Sequence, residues 1–182
     1  GLLPEVKREF GDGTGDSDLS RLGEIGSGEA VWRERWQSPH REGTPHMDEQ
    51  TAFDELSELS TAIISDAMFR MGHKDRTMRA RIKPLDDSMR MAGPACTAQA
   101  YPGATYASSL AVEAARPGDV IVIDAQSFLE AVMWGEIYSL MAVERGIAGT
   151  VVDGAVRDID DVRKLGYPLF AAGVHPGAGT GD

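Results

Sequence analysis

From residue 47 onward the apolar positions follow two alternating periods. Leu56, Leu59, Ile63, Ile64, Ala67, Met68 and Met71 recur every three or four residues, which predicts one amphipathic helix over 56–71, ended by Gly72. Residues 80–83 and 95–101 are short candidate strands, separated by a loop over 84–93. A second helix is predicted over 106–115, stopped by the turn signal Arg116-Pro117-Gly118-Asp119. Val120-Ile121-Val122-Ile123 is uniformly apolar and β-branched, as in a strand covered on both faces. The order then repeats: a helix over 136–145 with Gly146 as C-cap, a strand over 149–152, a helix over 159–165 closed by Gly166, and a strand over 168–171. Strands and helices alternating across short connections predict βαβ units. The fold class is therefore α/β, with a largely parallel β layer flanked by helices. The stretch from Gly173 to Asp182 is rich in turn formers and reads like a chain cut inside a loop.

The first 46 residues differ. They hold eight glycines and no sustained apolar period, and Leu2, Leu3, Phe10, Trp32 and Trp36 are too scattered to define a core. Six basic and nine acidic residues make the stretch mixed rather than polyionic. It is expected to be a disordered or non-native N-terminal extension with at most a short helix near 29–36, the domain proper being 47–182. Over the whole chain, 42% hydrophobic and 26% charged residues are those of a globular protein. A net charge of −11 argues against nucleic acid or an anionic membrane as main partner, because phosphate binding needs a Lys and Arg surplus. No apolar run reaches the length of a membrane span. The lone Cys96 rules out an internal disulfide and fits a reducing, cytoplasmic setting.

Two buried strands point at candidate chemistry. One ends at Asp124, the next in Asp153-Gly154-Ala155-Val156-Arg157-Asp158, and ligands of open α/β layers bind at carboxyl ends of strands. Arg157 offers a guanidinium fork for a carboxylate, and Asp158 an oxygen donor for a hard cation. The same two residues also admit a plainer reading, a surface pair in which Asp158 caps the helix starting at Ile159. Trp134-Gly135-Glu136-Ile137-Tyr138 opens another helix, and a glycine there leaves backbone N–H groups open to a small anion. Its plainer reading is an ordinary helix start with Glu136 as a first-turn acid. His40, His46, His73 and His175 form no ligand spacing, and Ser65-Asp66 has no histidine at helical spacing.

In combination these motifs resemble a known family. Leu59-Ser60-Thr61-Ala62-Ile63-Ile64-Ser65-Asp66-Ala67, Arg116-Pro117-Gly118-Asp119, Gly135-Glu136 and Asp153-Gly154-Ala155-Val156-Arg157-Asp158 stand in the order found in the 4-hydroxy-4-methyl-2-oxoglutarate aldolases. That family also contains the regulator of ribonuclease activity A. The resemblance covers about 56–176, and the last motif, with its offset from Gly135, is its most specific part. It implies a swivelling β/β/α domain assembled as a homotrimer or hexamer. It implies a class II aldolase that uses Mg²⁺ or Mn²⁺ to cleave a small 2-oxo acid to pyruvate, often with oxaloacetate decarboxylase activity. Carried over by position, the backbone of Gly135, Glu136, Ile137 and Tyr138 holds the substrate carboxylate, and Arg157 binds the substrate and the developing enolate oxygen. Asp158 holds the metal largely through waters. Asp124 occupies a strand end near where the family has an acidic group, and it would polarise a water for proton removal. The family pattern continues past the position of His175-Pro176, so the domain is expected to be incomplete at its C-terminus.

Two other functions remain open, a non-catalytic binding protein like the ribonuclease regulator and an inactive truncated member. The acid after Arg157 favours the enzyme over the first. Lys74, Lys83 and Lys164 lie in polar contexts that do not suit a Schiff base, which favours a metal route.

Overall fold

A computed structural model describes residues 47–179; the expected extension over 1–46 and its short helix lie outside the described residues. Helices α1 (Glu49–Glu58) and α2 (Thr61–Arg70) come first, followed by strands β1 (Lys83–Pro84) and β2 (Ala95–Gln99). Then alternate α3 (Tyr106–Ala114), β3 (Val120–Trp134), α4 (Glu136–Glu144), β4 (Gly149–Val156), α5 (Ile159–Leu165) and β5 (Leu169–Val174). The sheet order is β1-β5-β4-β3-β2. β2 through β5 are parallel neighbours in chain order, and β1 joins the edge antiparallel to β5. With these strands laid down in sequence, crossovers of one hand put α3, α4 and α5 on one face of the layer, where α4 packs against both α3 and α5. The expected α/β class with a mostly parallel layer and flanking helices is what forms.

The core lies between that face and the helices. Ile121, Ile123, Val152, Val156, Val162 and Leu169 are fully buried there, with Trp134 and Met133 at the end of β3. Each such aliphatic side chain contributes about 2 kcal/mol from the apolar surface it removes from water. On β2 the opposite face is open, since Ala95, Thr97 and Gln99 are exposed.

Several boundaries differ from the pattern-based expectation. The single helix over 56–71 is two helices, because Ser60 takes an extended conformation and its hydroxyl accepts from the Ile63 N–H at 3.3 Å, starting α2 afresh. Neither helix has a buried residue; Leu56, Leu59, Ile63, Phe69 and Met71 are exposed. The strand expected over 80–83 shrinks to Lys83–Pro84, an edge position where a residue without an N–H is tolerated. The strand expected over 120–123 runs on to Trp134 as an irregular ribbon. Between Asp124, opposite Asp153, and Trp134, opposite Val156, β3 takes ten residue steps where β4 takes three, with three register shifts. Gln126 and Ser127 sit at φ 56° and 60° within it, a left-handed conformation unusual for such residues.

Candidate functional site

Two polar groups lie along the end of the layer where β3 and β4 finish. The first gathers around Asp153. Arg81 Nε donates to its Oδ1 at 2.8 Å, Arg81 Nη2 donates to Oδ2, and Ser127 Oγ lies 3.3 Å from both carboxylate oxygens. The bonds from Arg81 hold Asp153 below the usual carboxylate range, and the same pairing raises Arg81. Asp124 stands opposite Asp153, and its carboxylate accepts from the Gln126 N–H at 2.8 Å, which helps hold the strained turn at 126–127.

The second group forms where β3 passes into α4 and β4 into α5. Trp134 pairs with Val156, and the Arg157 N–H donates to the Trp134 carbonyl at 3.1 Å, so Gly135 and Asp158 meet just beyond the paired strands. Asp158 takes the left-handed conformation (φ 57°), tolerated by aspartate more than by most residues. Its side chain makes no cap bond to α5. Instead Oδ2 accepts from the Glu136 N–H at 3.2 Å and lies 3.3 Å from Arg157 Nε. The helix-capping reading of Asp158 therefore gives way, while the surface-pair reading holds in part: both side chains are about one-third exposed, at 39% and 35%. Gly135 is required by this approach, since a Cβ there would stand 2.6 Å from Asp158 Oδ2 and 3.2 Å from Arg157 Cγ.

The start of α4 is tied down from the inside. Gly135 is extended and offers no side-chain cap. Trp134 Nε1 donates to Ser139 Oγ at 3.0 Å, and Ser139 Oγ donates to the Gly135 carbonyl at 2.9 Å, with both side chains buried. The Tyr138 ring packs 5.4 Å from that of Trp134, and its hydroxyl donates to the Thr105 carbonyl at 3.3 Å. Ile137 faces outward and is exposed.

The structure thus brings Gly135, Glu136, Arg157 and Asp158 together, with Ile137 and Tyr138 in the same helical turn. Asp124 falls in the other group, opposite Asp153, three residues of β4 and so roughly 10 Å back from the Trp134–Val156 pair. Among the described residues no three His, Cys, Asp or Glu side chains converge as a cation cage. In the group around Gly135, Asp158 supplies a hard oxygen donor, suited to a cation that keeps most of its water.

Four participants escaped the sequence. Arg81 falls in the strand expected over 80–83, which is a turn at that point, and no local pattern ties it to Asp153. Ser127 lies in the irregular ribbon. Ser139 follows Gly135 at helical spacing, the arrangement in which a serine bonds the carbonyl four residues back, and that spacing could have flagged it. His175, set aside as a loop residue, has its N–H bonded to the Val156 carbonyl at 3.0 Å, and its Nδ1 accepts from the Gly177 N–H at 2.9 Å. The segment after it passes on to β3, where the Gly177 carbonyl accepts from the Val132 N–H at 3.2 Å. At Gly179 a Cβ would lie 2.5 Å from Thr105 Cγ2 and from the Val132 carbonyl oxygen.

The model of the RraA-like family (Aldolase/RraA) matches residues 61–182. A Halalkalibacterium halodurans protein provisionally named a 4-hydroxy-4-methyl-2-oxoglutarate aldolase is 41% identical over 115 residues, which are 63% of this chain and 53% of that protein. The chain therefore spans about half the length of this relative. Among solved structures, an uncharacterized protein from Pseudomonas syringae is similar at 33% identity and a TM-score of 0.61, over 74% of this chain and 62% of the other. The RNA-processing inhibitor RraA from Thermus thermophilis is similar at 25% identity and a TM-score of 0.59, over 68% and 72% of the two chains.

Proposed function

The chain belongs to the RraA-like (Aldolase/RraA) family, and from that premise we propose that it is a divalent-cation-dependent lyase of small 2-oxo acids. In this reading it cleaves 4-hydroxy-4-methyl-2-oxoglutarate or a close analogue to pyruvate and decarboxylates oxaloacetate. The observation that carries the reading is the meeting of the Glu136 N–H, the Arg157 guanidinium and the Asp158 carboxylate around Gly135. An N–H at a helix start and a guanidinium suit the carboxylate and oxo oxygens of the substrate. A lone carboxylate beside them suits Mg²⁺ or Mn²⁺, and such a cation, when bound, supplies Lewis acidity toward the 2-oxo oxygen.

The chain's own residues then have these parts. The amides of Glu136, Ile137 and Tyr138 hold the substrate carboxylate at the start of α4. When the bond between C3 and C4 breaks, its electron pair becomes the enolate, and Arg157 stabilises the negative charge on the former carbonyl oxygen. The C4 hydroxyl proton must leave as C4 becomes a carbonyl. Glu136, in the first turn beside Asp158, is the carboxylate assigned to accept it through water, because Asp124 is engaged with its own turn and stands with Asp153. Exposed apolar side chains on α2 (Ile63, Phe69) and α4 (Ile137, Leu140, Val143) support assembly as a homotrimer or a pair of trimers. No described helix is long and apolar enough to cross a membrane, and the lone cysteine supports a cytoplasmic setting.

A second reading, a non-catalytic binding protein, draws on the similarity to the RNA-processing inhibitor. The test is pyruvate release from oxaloacetate and from 4-hydroxy-4-methyl-2-oxoglutarate, first with Mg²⁺ and then with Mg²⁺ chelated. Release above the metal-only background, lost on chelation, is the expected outcome. A folded, oligomeric protein that releases none belongs to the second reading.

A further inference from the structure

Resting on the anion-binding role proposed for the start of α4, we infer that Trp134 and Ser139 form a buried positioning relay that sets and strengthens the Glu136 N–H as a carboxylate donor. The indole N–H can only donate, so the direction of the relay is fixed: Trp134 Nε1–H to Ser139 Oγ, then Ser139 O–H to the Gly135 carbonyl. That carbonyl also accepts from the Ser139 N–H at 3.1 Å, so it takes two bonds at once. It belongs to the same peptide group as the Glu136 N–H, whose hydrogen faces Asp158 Oδ2. The peptide is thus held at both ends, by Ser139 at its oxygen and by a carboxylate at its nitrogen.

Two consequences follow from the chemistry of amides. Bonds accepted at the carbonyl oxygen draw electron density along the peptide and make its N–H a stronger donor, the cooperative effect expected of hydrogen-bond chains in a low-dielectric interior. They also fix the plane, so that the N–H keeps its aim when Asp158 turns to other partners. Ser139 is fully buried and Trp134 1% exposed, so no water competes for the relay. The neighbouring Ser108 offers a contrast on the same ribbon: equally buried, its hydroxyl donates to the Met133 carbonyl at 2.6 Å, two residues short of the Gly135–Glu136 peptide.

That contrast gives the experiment. Pyruvate binding in the presence of Mg²⁺ is measured by calorimetry on the full chain and on Ser139→Ala, Ser139→Cys and Ser108→Ala, each checked for fold and oligomeric state. Loss of the hydroxyl, with both its bond to the Gly135 carbonyl and the one it accepts from Trp134 Nε1, is expected to weaken pyruvate binding by about tenfold in Ser139→Ala. Ser139→Cys keeps the side-chain shape with a feebler donor, so it carries the test if the alanine variant does not fold, with weakening in the same direction. Ser108→Ala is expected to lower thermal stability while leaving pyruvate affinity unchanged. Wild-type affinity in a folded Ser139 variant overturns the relay, as does equal weakening in Ser108→Ala. Failure of the unsubstituted protein to bind pyruvate instead overturns the lyase reading on which the relay rests.

Discussion

The two polar groups at the end of the layer are built from the same residue types and behave differently. Around Asp153, Arg81 makes two bonds to one carboxylate and Ser127 adds a hydroxyl, while Asp124 closes its own turn. Both oxygens of the Asp153 carboxylate are answered within the chain. Around Asp158 the contacts are single and long, 3.2 Å to an amide and 3.3 Å to a guanidinium nitrogen, and a helix start stands beside them. A satisfied ion pair pins the chain; a loosely satisfied one can exchange its partners for a ligand. On the proposed function, the second group is the one that acts and the first the one that anchors.

The largest effect is expected from Asp158→Ala. It should lower Mg²⁺-dependent pyruvate release by about two to three orders of magnitude with circular dichroism and oligomeric state unchanged; undiminished turnover would undo the assignment of roles to the two groups. Next comes Gly135→Ala, whose added methyl must push Asp158 and Arg157 aside. A displacement near 1 Å at a reacting centre costs about a hundredfold, so kcat/KM should fall by about that much while the melting temperature moves little. A variant as active as the parent would mean that the close approach has no bearing on the chemistry. The smallest effect is expected from Asp153→Asn, a change in the anchoring group. Because pairing depresses the folded pKa of Asp153, its stabilisation is complete above the unfolded value near about 3.9 and is lost as pH falls through the folded value. The variant should therefore unfold more readily at neutral pH, with the difference from the parent closing below about pH 4. Its pyruvate affinity should be unchanged, and a loss of affinity would join the two groups into one site.

The parts that could be read from sequence are those governed by local pattern. The apolar run over 120–123, the turn Arg116-Pro117-Gly118-Asp119 and the helix stops at Gly146 and Gly166 all appear where short-range rules put them; Gly146 and Gly166 adopt positive φ. Arg157 and Asp158 were legible because they follow a buried strand directly. The second half of β3 was not, since Asp124, Gln126, Ser127 and Glu130 interrupt any period of two and its pairing depends on register shifts against β4. The break at Ser60 was hidden beneath an unbroken helical spacing of apolar residues. Arg81 and Asp153 lie 72 positions apart, and no local rule joins them. Asp124 shows the limit from the other side: a strand end predicted correctly does not say which of two neighbouring polar groups the residue will enter.

The surplus length of β3 bears on how such a protein can change over evolutionary time. The ribbon meets β4 at Asp124, Phe128, Val132 and Trp134, and between those pairings it carries far more chain than β4 requires. Exposed positions between those pairings, such as Glu130, can be exchanged without shifting the pairings themselves. Gly135 and the strand ends that face it would then stay in place while the surface beside them is rewritten. A scaffold with this kind of reserve can try new substrates one loop at a time.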